Sequence, residues 1–343
     1  MSFRELNADQ QRELVNSRQR FEVWRQARQR LAQTKGSMVW AESKGTEYLR
    51  RSFYDETSGV RRQTSLGPRS DRTEQAKVDF ERSRDSAKER FVGIDRALAR
   101  QAAVNRALGL GRVPLLPARL IRAFDEARLL GQGIRLVGTI ALHAYEAAAG
   151  VFLDAEVTAT DDLDLLFDSR SALRLAGAPG EHSLMRILTR VDRSFQRSPA
   201  AFRAVNRDGY LVDWVKPLRE PPWREKRKRL GAGAADLEAV MIEGLDWLES
   251  SPLLEAIAID ARGGPLRMLA PDPRVFAAHK LWLSRRGDRD PVQRRRDEAQ
   301  ARVVAILVRD HLQHLPYEAG ALRMLPKAVF DQARPLFAAN AQA

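Results

Sequence analysis

Apolar residues recur at helical spacing through the first third of the chain. Within residues 5–35, Leu14, Phe21, Val23, Trp24 and Leu31 stand in a Gln/Arg/Glu-rich background and predict one long amphipathic helix. A second helix is predicted over 71–107, with Asp71 and Thr73 as capping candidates. The segment between them, 40–75, holds Tyr48, Phe53 and Tyr54 and then the Gly/Pro-punctuated run Thr64 to Ser70. It reads as a polar loop inside a helical region.

The texture changes after Pro114 and Pro117. A helix is predicted over 118–131, then a short buried strand, Ile134 to Val137, ending at Gly138, then a small-residue helix from Thr139 to Ala149. Leu163 to Phe167 and Gly209 to Val215 read as strands, with a helix over 183–205 between them. Residues 254–260 and 265–269 suit a pair of strands around Gly263 and Gly264. Pro271 and Pro273 introduce a helix from Val275 to Arg285, and another is predicted over 292–314. The chain therefore reads as α+β: a helical N-terminal region (1–117), a mixed core (118–270) and a helical C-terminal region (271–343).

Composition narrows the function classes. Hydrophobic residues make up 44% of 343 positions, enough for a real core. There is no cysteine, which removes disulfide scaffolds, thiolate metal sites and cysteine nucleophiles. No apolar run reaches membrane-spanning length, and the N-terminus is polar from the start, so the expectation is a cytoplasmic protein with no membrane partner. The formal net charge is +13, and residues 1–100 hold 22 Lys/Arg against 15 Asp/Glu. Two further basic clusters run from Arg219 to Arg229 and from Arg285 to Arg296. Such runs serve either as solvated faces or as phosphate contacts. RNA is a plausible partner on this count.

The acids are more specific. In the strand after Thr160, Asp162 and Asp164 alternate with Leu163 and Leu165, so the two carboxylates share one face. Neighbouring carboxylates repel unless a cation lies between them, and Mg²⁺ takes one or two carboxylates alongside water and phosphate oxygens. Asp213 is again a lone acid in an apolar strand; if the strands are neighbours, three carboxylates converge, as in two-metal phosphoryl transfer. The competing reading is a strand end with solvated acids. Asp288 and Asp290 show the same spacing in a basic loop without strand context.

Gly138 and Thr139 fall between a strand and a helix start, where free backbone N–H groups favour phosphate, although an ordinary capped turn looks the same. Lys280 lies among apolar residues of a helix, where it either snorkels or reaches a triphosphate, with Arg285 five residues on as a flanking cation. Asp297 is expected to pair with this basic region. No Walker loop or dinucleotide fingerprint is present. His311 and His314 share a predicted helix face without a third ligand, and the six tryptophans read as core.

Gly138-Thr139, Asp162 and Asp164 on one strand and Asp213 on a later one together resemble the DNA polymerase β-like nucleotidyltransferase superfamily. The stretches Val137 to Gly150 and Pro273 to Leu281, with Glu47 to Leu49 and Thr64 to Ser70, are similar to a bacterial family of nucleotidyltransferase-fold proteins. The resemblance spans about residues 45–310. It departs from the superfamily pattern in a longer segment between Thr139 and Asp161, where Val151 to Val157 is expected to add a strand or loop, and in threonine for the usual serine. It implies a polymerase β-like mixed-sheet core that moves a nucleoside monophosphate from an NTP such as ATP to an acceptor hydroxyl on RNA, protein or a small molecule. It further implies Asp162, Asp164 and Asp213 as catalytic ligands of Mg²⁺ or Mn²⁺. Gly138, Thr139, Lys280 and Arg285 would bind nucleotide. A non-catalytic nucleic-acid-binding protein on the same fold is the alternative.

Overall fold

The computed structural model describes residues 3–54, 60–168, 183–218 and 236–338. The basic cluster Arg219 to Arg229 lies outside the described residues. By contact density the chain divides into two compact units.

One unit comprises Arg12–Gly109 with Gly263–Pro265. Its long helices are α1 (Ala8–Gln33) and α2 (Asp71–Ala107). They run antiparallel: Ser17 donates to Asn105 at 2.9 Å, while Trp24, further along α1, donates to Asp95 at 2.9 Å, earlier on α2. The start of α2 is a capping box in which Ser70 is the cap and Thr73 answers it, one residue before the expected Asp71.

The predicted loop between these helices is a three-stranded antiparallel sheet, β2 (Ser37–Ser43), β3 (Thr46–Tyr54) and β4 (Arg61–Pro68), in the order β2-β3-β4. Its first connection is a two-residue turn with positive φ at both Lys44 (50°) and Gly45 (74°), the twist that antiparallel strands favour. Polar composition concealed it. Only Leu49 and Ser52 of β3 are buried, so the strands lack a continuous apolar face.

The second unit holds Met1–Gln11, Leu110–Arg262 and Leu266–Ala343. Helix α3 (Leu115–Glu126) buries Leu120, Ile121 and Phe124. The described strands of its main sheet are β5 (Ile134–Val137), β7 (Asp162–Phe167), β8 (Gln196–Arg197), β9 (Arg203–Val205), β10 (Leu211–Pro217) and β11 (Val240–Ile242). The order is β5-β7-β10-β9-β8, with β11 also against β10. β7 and β10 are parallel, whereas β5 and β9 run antiparallel to their neighbours. This is a mixed α+β architecture. Trp214 and Phe167, fully buried and 5.1 Å apart, pack beneath its centre.

Two expectations change here. The helix predicted over 183–205 is only α6 (Leu184–Val191); Asp192 then accepts from Ser194 in a tight turn, and β8 and β9 follow. The added segment after Gly150 forms β6 (Val151–Leu153), which pairs antiparallel with β1 (Phe3–Glu5), and then the one-turn helix α5 (Ala155–Thr158). Glu146, buried on α4 (Leu142–Ala149), ties this segment down by accepting two bonds from Arg112 and one from the Leu153 N–H.

After α7 (Leu245–Ser250), the expected strand pair is β12 (Leu253–Ile259) and β13 (Pro265–Pro271). Helices α8 (Pro273–Ser284), α9 (Pro291–His311) and α10 (Lys327–Phe337) complete the fold. α9 stops at His311, so His314 lies beyond it. No described helix is long and apolar enough to cross a membrane.

Candidate active site

Strand alternation sets the acid geometry. Along β7, Leu163 and Leu165 are fully buried while Asp162 and Asp164 are half-buried on the opposite face. The parallel register places Asp213 of β10 directly beside Asp164, and Leu211 beside Asp162. On the other flank the antiparallel β5 ends with Val137 opposite Asp164. Gly138 follows at φ 65° and ψ −157°, a backbone region that only glycine occupies readily. A Cβ at that point would lie 2.0 Å from Asp164 Oδ2. The missing side chain at 138 is the space in which the Asp164 carboxylate sits.

Crowding has an electrostatic signature. Burial, then the neighbouring Asp162 and Asp213 carboxylates, push Asp164 up to about 7, against the opposing pull of Lys280 and Arg203. The Tyr210 hydroxyl beside these acids is buried and, among the described residues, has no hydrogen-bond partner. Burial first, then Asp162, Asp164 and Asp161, raise its pKa far above the ordinary phenol value.

The three predicted acids are not equivalent. Thr160 Oγ1 donates to Asp162 Oδ1. Asp213 is held in a two-pronged ion pair: Arg203 Nε donates to Oδ1 at 2.7 Å and a terminal nitrogen to Oδ2 at 2.6 Å. Arg203 and Asp213 are direct cross-strand neighbours on β9 and β10. Among the described residues no three acid or histidine side chains are gathered as a metal-holding group.

Asp162 and Asp164 face a small cleft that is open to solvent. Gly138 and Thr139 form one wall; Lys280, Arg289, Gln293, Arg296 and Asp297 form the other. Gln293, Arg296, Asp297 and Gln300 are spaced i, i+3, i+4, i+7, one stripe of α9. Gln300 joins the walls by donating to Thr139 Oγ1 (3.1 Å) and to the Val157 carbonyl (3.0 Å). Lys280 donates to Asp297 Oδ1 at 2.7 Å and Arg289 donates to Oδ2 of the same carboxylate, whose side chain is 3% exposed. Arg296 donates to the Ala159 carbonyl.

The structure thus brings together Gly138, Thr139, Asp162, Asp164 and Lys280 in one cleft, with Asp213 beside Asp164 in the sheet. Arg285 is not among the residues lining the cleft. It follows the last turn of α8 and, with the Gln332 amide oriented to suit both partners, donates from Nε to its oxygen at 3.2 Å. Arg203, Tyr210, Arg289, Gln293, Arg296 and Gln300 were not singled out from the sequence. Only the arginine-rich run 285–296 carried a signal for any of them.

An acid pair on a sheet, faced across a cleft by cations and Gln side chains, is chemically suited to a phosphate-bearing substrate. The comparison with protein families agrees: the nucleotidyltransferase family profile matches residues 116–325, which include every cleft residue, and the chain belongs to that family. Nucleotidyl transfer in general follows from this membership, as does a nucleotide substrate. No curated protein and no solved structure matched the chain in the other two comparisons.

Proposed function

We propose that the protein is a divalent-cation-dependent nucleotidyltransferase with a polymerase β-like core, moving an NMP from an NTP to an acceptor hydroxyl and releasing pyrophosphate. The observation that carries this reading is the juxtaposition of the Asp162/Asp164 face with Gly138, Thr139 and Lys280 in one cleft, with Asp213 in register beside Asp164.

The donor set suits Mg²⁺ or Mn²⁺. Asp162 and Asp164 are hard oxygen donors, and the rise of Asp164 to about 7 marks negative charge that a cation relieves. These two carboxylates would hold the ion, with Asp213 joining them when it shares its charge with more than Arg203. Bound there, the cation would supply charge neutralisation on the reacting phosphate.

The remaining work falls to side chains. Gly138 lets the backbone approach the phosphates closely, and the Thr139 hydroxyl donates to a phosphate oxygen. Lys280, Arg289 and Arg296 compensate the charge that grows on the leaving pyrophosphate. Arg203 holds Asp213 in one orientation, from which the carboxylate accepts the proton of the attacking hydroxyl. The acceptor oxygen bonds to the α-phosphorus as the bond from that phosphorus to the pyrophosphate breaks.

The test is incubation of the protein with each α-labelled NTP, Mg²⁺ or Mn²⁺ and total RNA, protein or small-molecule extract. Label passes to one acceptor fraction with the parent protein, and Asp162→Ala and Asp164→Ala variants with unchanged circular dichroism transfer none. Retained transfer in those variants sinks the reading.

A further inference from the structure

The three-stranded sheet of the N-terminal unit has two chemically different faces. On β3, alternation puts Tyr48, Arg50, Ser52 and Tyr54 on one side and Leu49, Arg51 and Phe53 on the other. The second side is the packed one: the Arg51 guanidinium stacks 5.4 Å over Phe80 of α2, and Leu49 is fully buried. Register assigns the neighbours. Ser37, Val39 and Ala41 of β2 and Arg61, Gln63 and Ser65 of β4 share the first face with Tyr48, Arg50, Ser52 and Tyr54. The bond from Arg61 Nε to Ser52 Oγ, 2.7 Å, confirms this sidedness.

Charge divides the same way. Both glutamates of the strands, Glu42 and Glu47, fall on the packed side with Arg51 and Arg62, where Glu47 also pairs with Arg69 at 2.6 Å. Among the described residues the open side carries Arg50 and Arg61 and no carboxylate. Arg50 makes no ion pair or hydrogen bond among the described residues. Tyr54 is 70% exposed and Val39 42%. Tyr48 and Tyr54 stand six residues apart on one strand, about 20 Å, so each ring would serve a different base.

We infer that this face binds single-stranded RNA. The exposed Tyr54 ring and the half-buried Tyr48 ring give stacking surfaces for unpaired bases, and the guanidiniums of Arg50 and Arg61 meet the backbone phosphates. Base pairing hides the faces of bases inside a duplex, so rings on a flat sheet favour a single strand. The inference stands apart from the transfer reaction, because no residue of the cleft takes part in it.

The experiment uses the full chain in EDTA without NTP, so that no transfer occurs. Fluorescence anisotropy reads binding of a labelled, unstructured 20-nucleotide RNA and of its duplex at several salt concentrations. The single strand is expected to bind more tightly than the duplex. Tyr54→Ala should weaken its binding at least about 5-fold, the low end for losing one stacked base. Arg50→Gln with Arg61→Gln should flatten the logarithmic salt slope by about 1.4, roughly 0.7 per lost phosphate contact on a single strand. Arg62→Gln on the opposite side should leave binding unchanged, and the absence of NTP and divalent cation separates this readout from the catalytic one. Equal binding by the Tyr54 and double-arginine variants and the parent would overturn the inference. A duplex preference, or no RNA binding at all, would overturn it equally.

Discussion

Substituting Gly138 with alanine tests the geometry of the acid site directly. Two effects add. The backbone at φ 65° and ψ −157° strains any side chain, by about 1–3 kcal/mol. The new methyl would also lie 2.0 Å from Oδ2 and 2.9 Å from Cγ of Asp164, so that carboxylate must leave its place. Asp164 is flanked on both sides by strand neighbours, Val137 and Asp213, and can yield only by rotating its side chain. Gly150 provides the control. Its φ is 69° but a Cβ there meets nothing within 4 Å, so Gly150→Ala carries the backbone strain alone, about 1 kcal/mol. Urea unfolding and labelled-NMP transfer are measured on both variants. Gly150→Ala should lose about 1 kcal/mol and keep its transfer rate. Gly138→Ala should lose more stability and at least about 100-fold in transfer, equivalent to roughly 2.7 kcal/mol of transition-state stabilisation. If the two variants lose the same stability and both transfer at the parent rate, the close fit of glycine against Asp164 has no role in the reaction.

Removing the crowded charge should help the fold while abolishing the activity. A carboxyl pushed up from 3.8 to about 7 binds its proton more tightly folded than unfolded, so its contribution falls as pH rises from 3.8 to 7. In EDTA at pH 7.5, Asp164→Asn should therefore melt at or above the parent temperature, and Mg²⁺ should raise the melting point of the parent but not of the variant. Asp297→Asn leaves Lys280 and Arg289 facing each other without their shared carboxylate. Denaturant unfolding should show a loss of about 3 kcal/mol, the low end for a broken buried pair because Arg289 is partly exposed. His143, held down to about 4 by burial and then by Arg112, is neutral in the fold over a range where the unfolded chain is protonated. Its stabilising contribution is complete above pH 6.5 and is lost as pH falls toward 4, about 3 kcal/mol in all. His143→Leu should flatten the stability profile over that window, although buried His279, held down to about 3, keeps a slope.

What could be read from the chain alone was whatever repeats locally. Asp162 and Asp164 were legible because a two-residue period in an apolar strand decides which side chains share a face, and Gly138 because a glycine between strand and helix is a local punctuation. The strand neighbours of the acids were not local. Arg203 lies across from Asp213 only because β9 runs antiparallel to β10, and the predicted helix over 183–205 hid that strand. The sheet carrying Tyr48 and Tyr54 was concealed for the opposite reason, since strands with few buried side chains lack the alternation that marks a half-buried sheet.

The arginine run 285–296 shows the limit most sharply. Composition marked a basic run there, open to solvent or to phosphate, yet could not say which of its arginines would face the acids. The chain leaves α8 at Ser284 and re-enters a helix at Pro291, capped by Asp290, whose carboxylate accepts from the N–H groups of Val292 and Gln293. That restart sets the rotation of α9. It turns Gln293, Arg296, Asp297 and Gln300 toward the acids, while Arg285 stays at the end of the preceding helix against Gln332. The residues facing the cleft are therefore chosen by where one helix stops and the next begins. A shift of the Asp290 cap by one residue would rotate a different set into place, by about 100° around the helix axis.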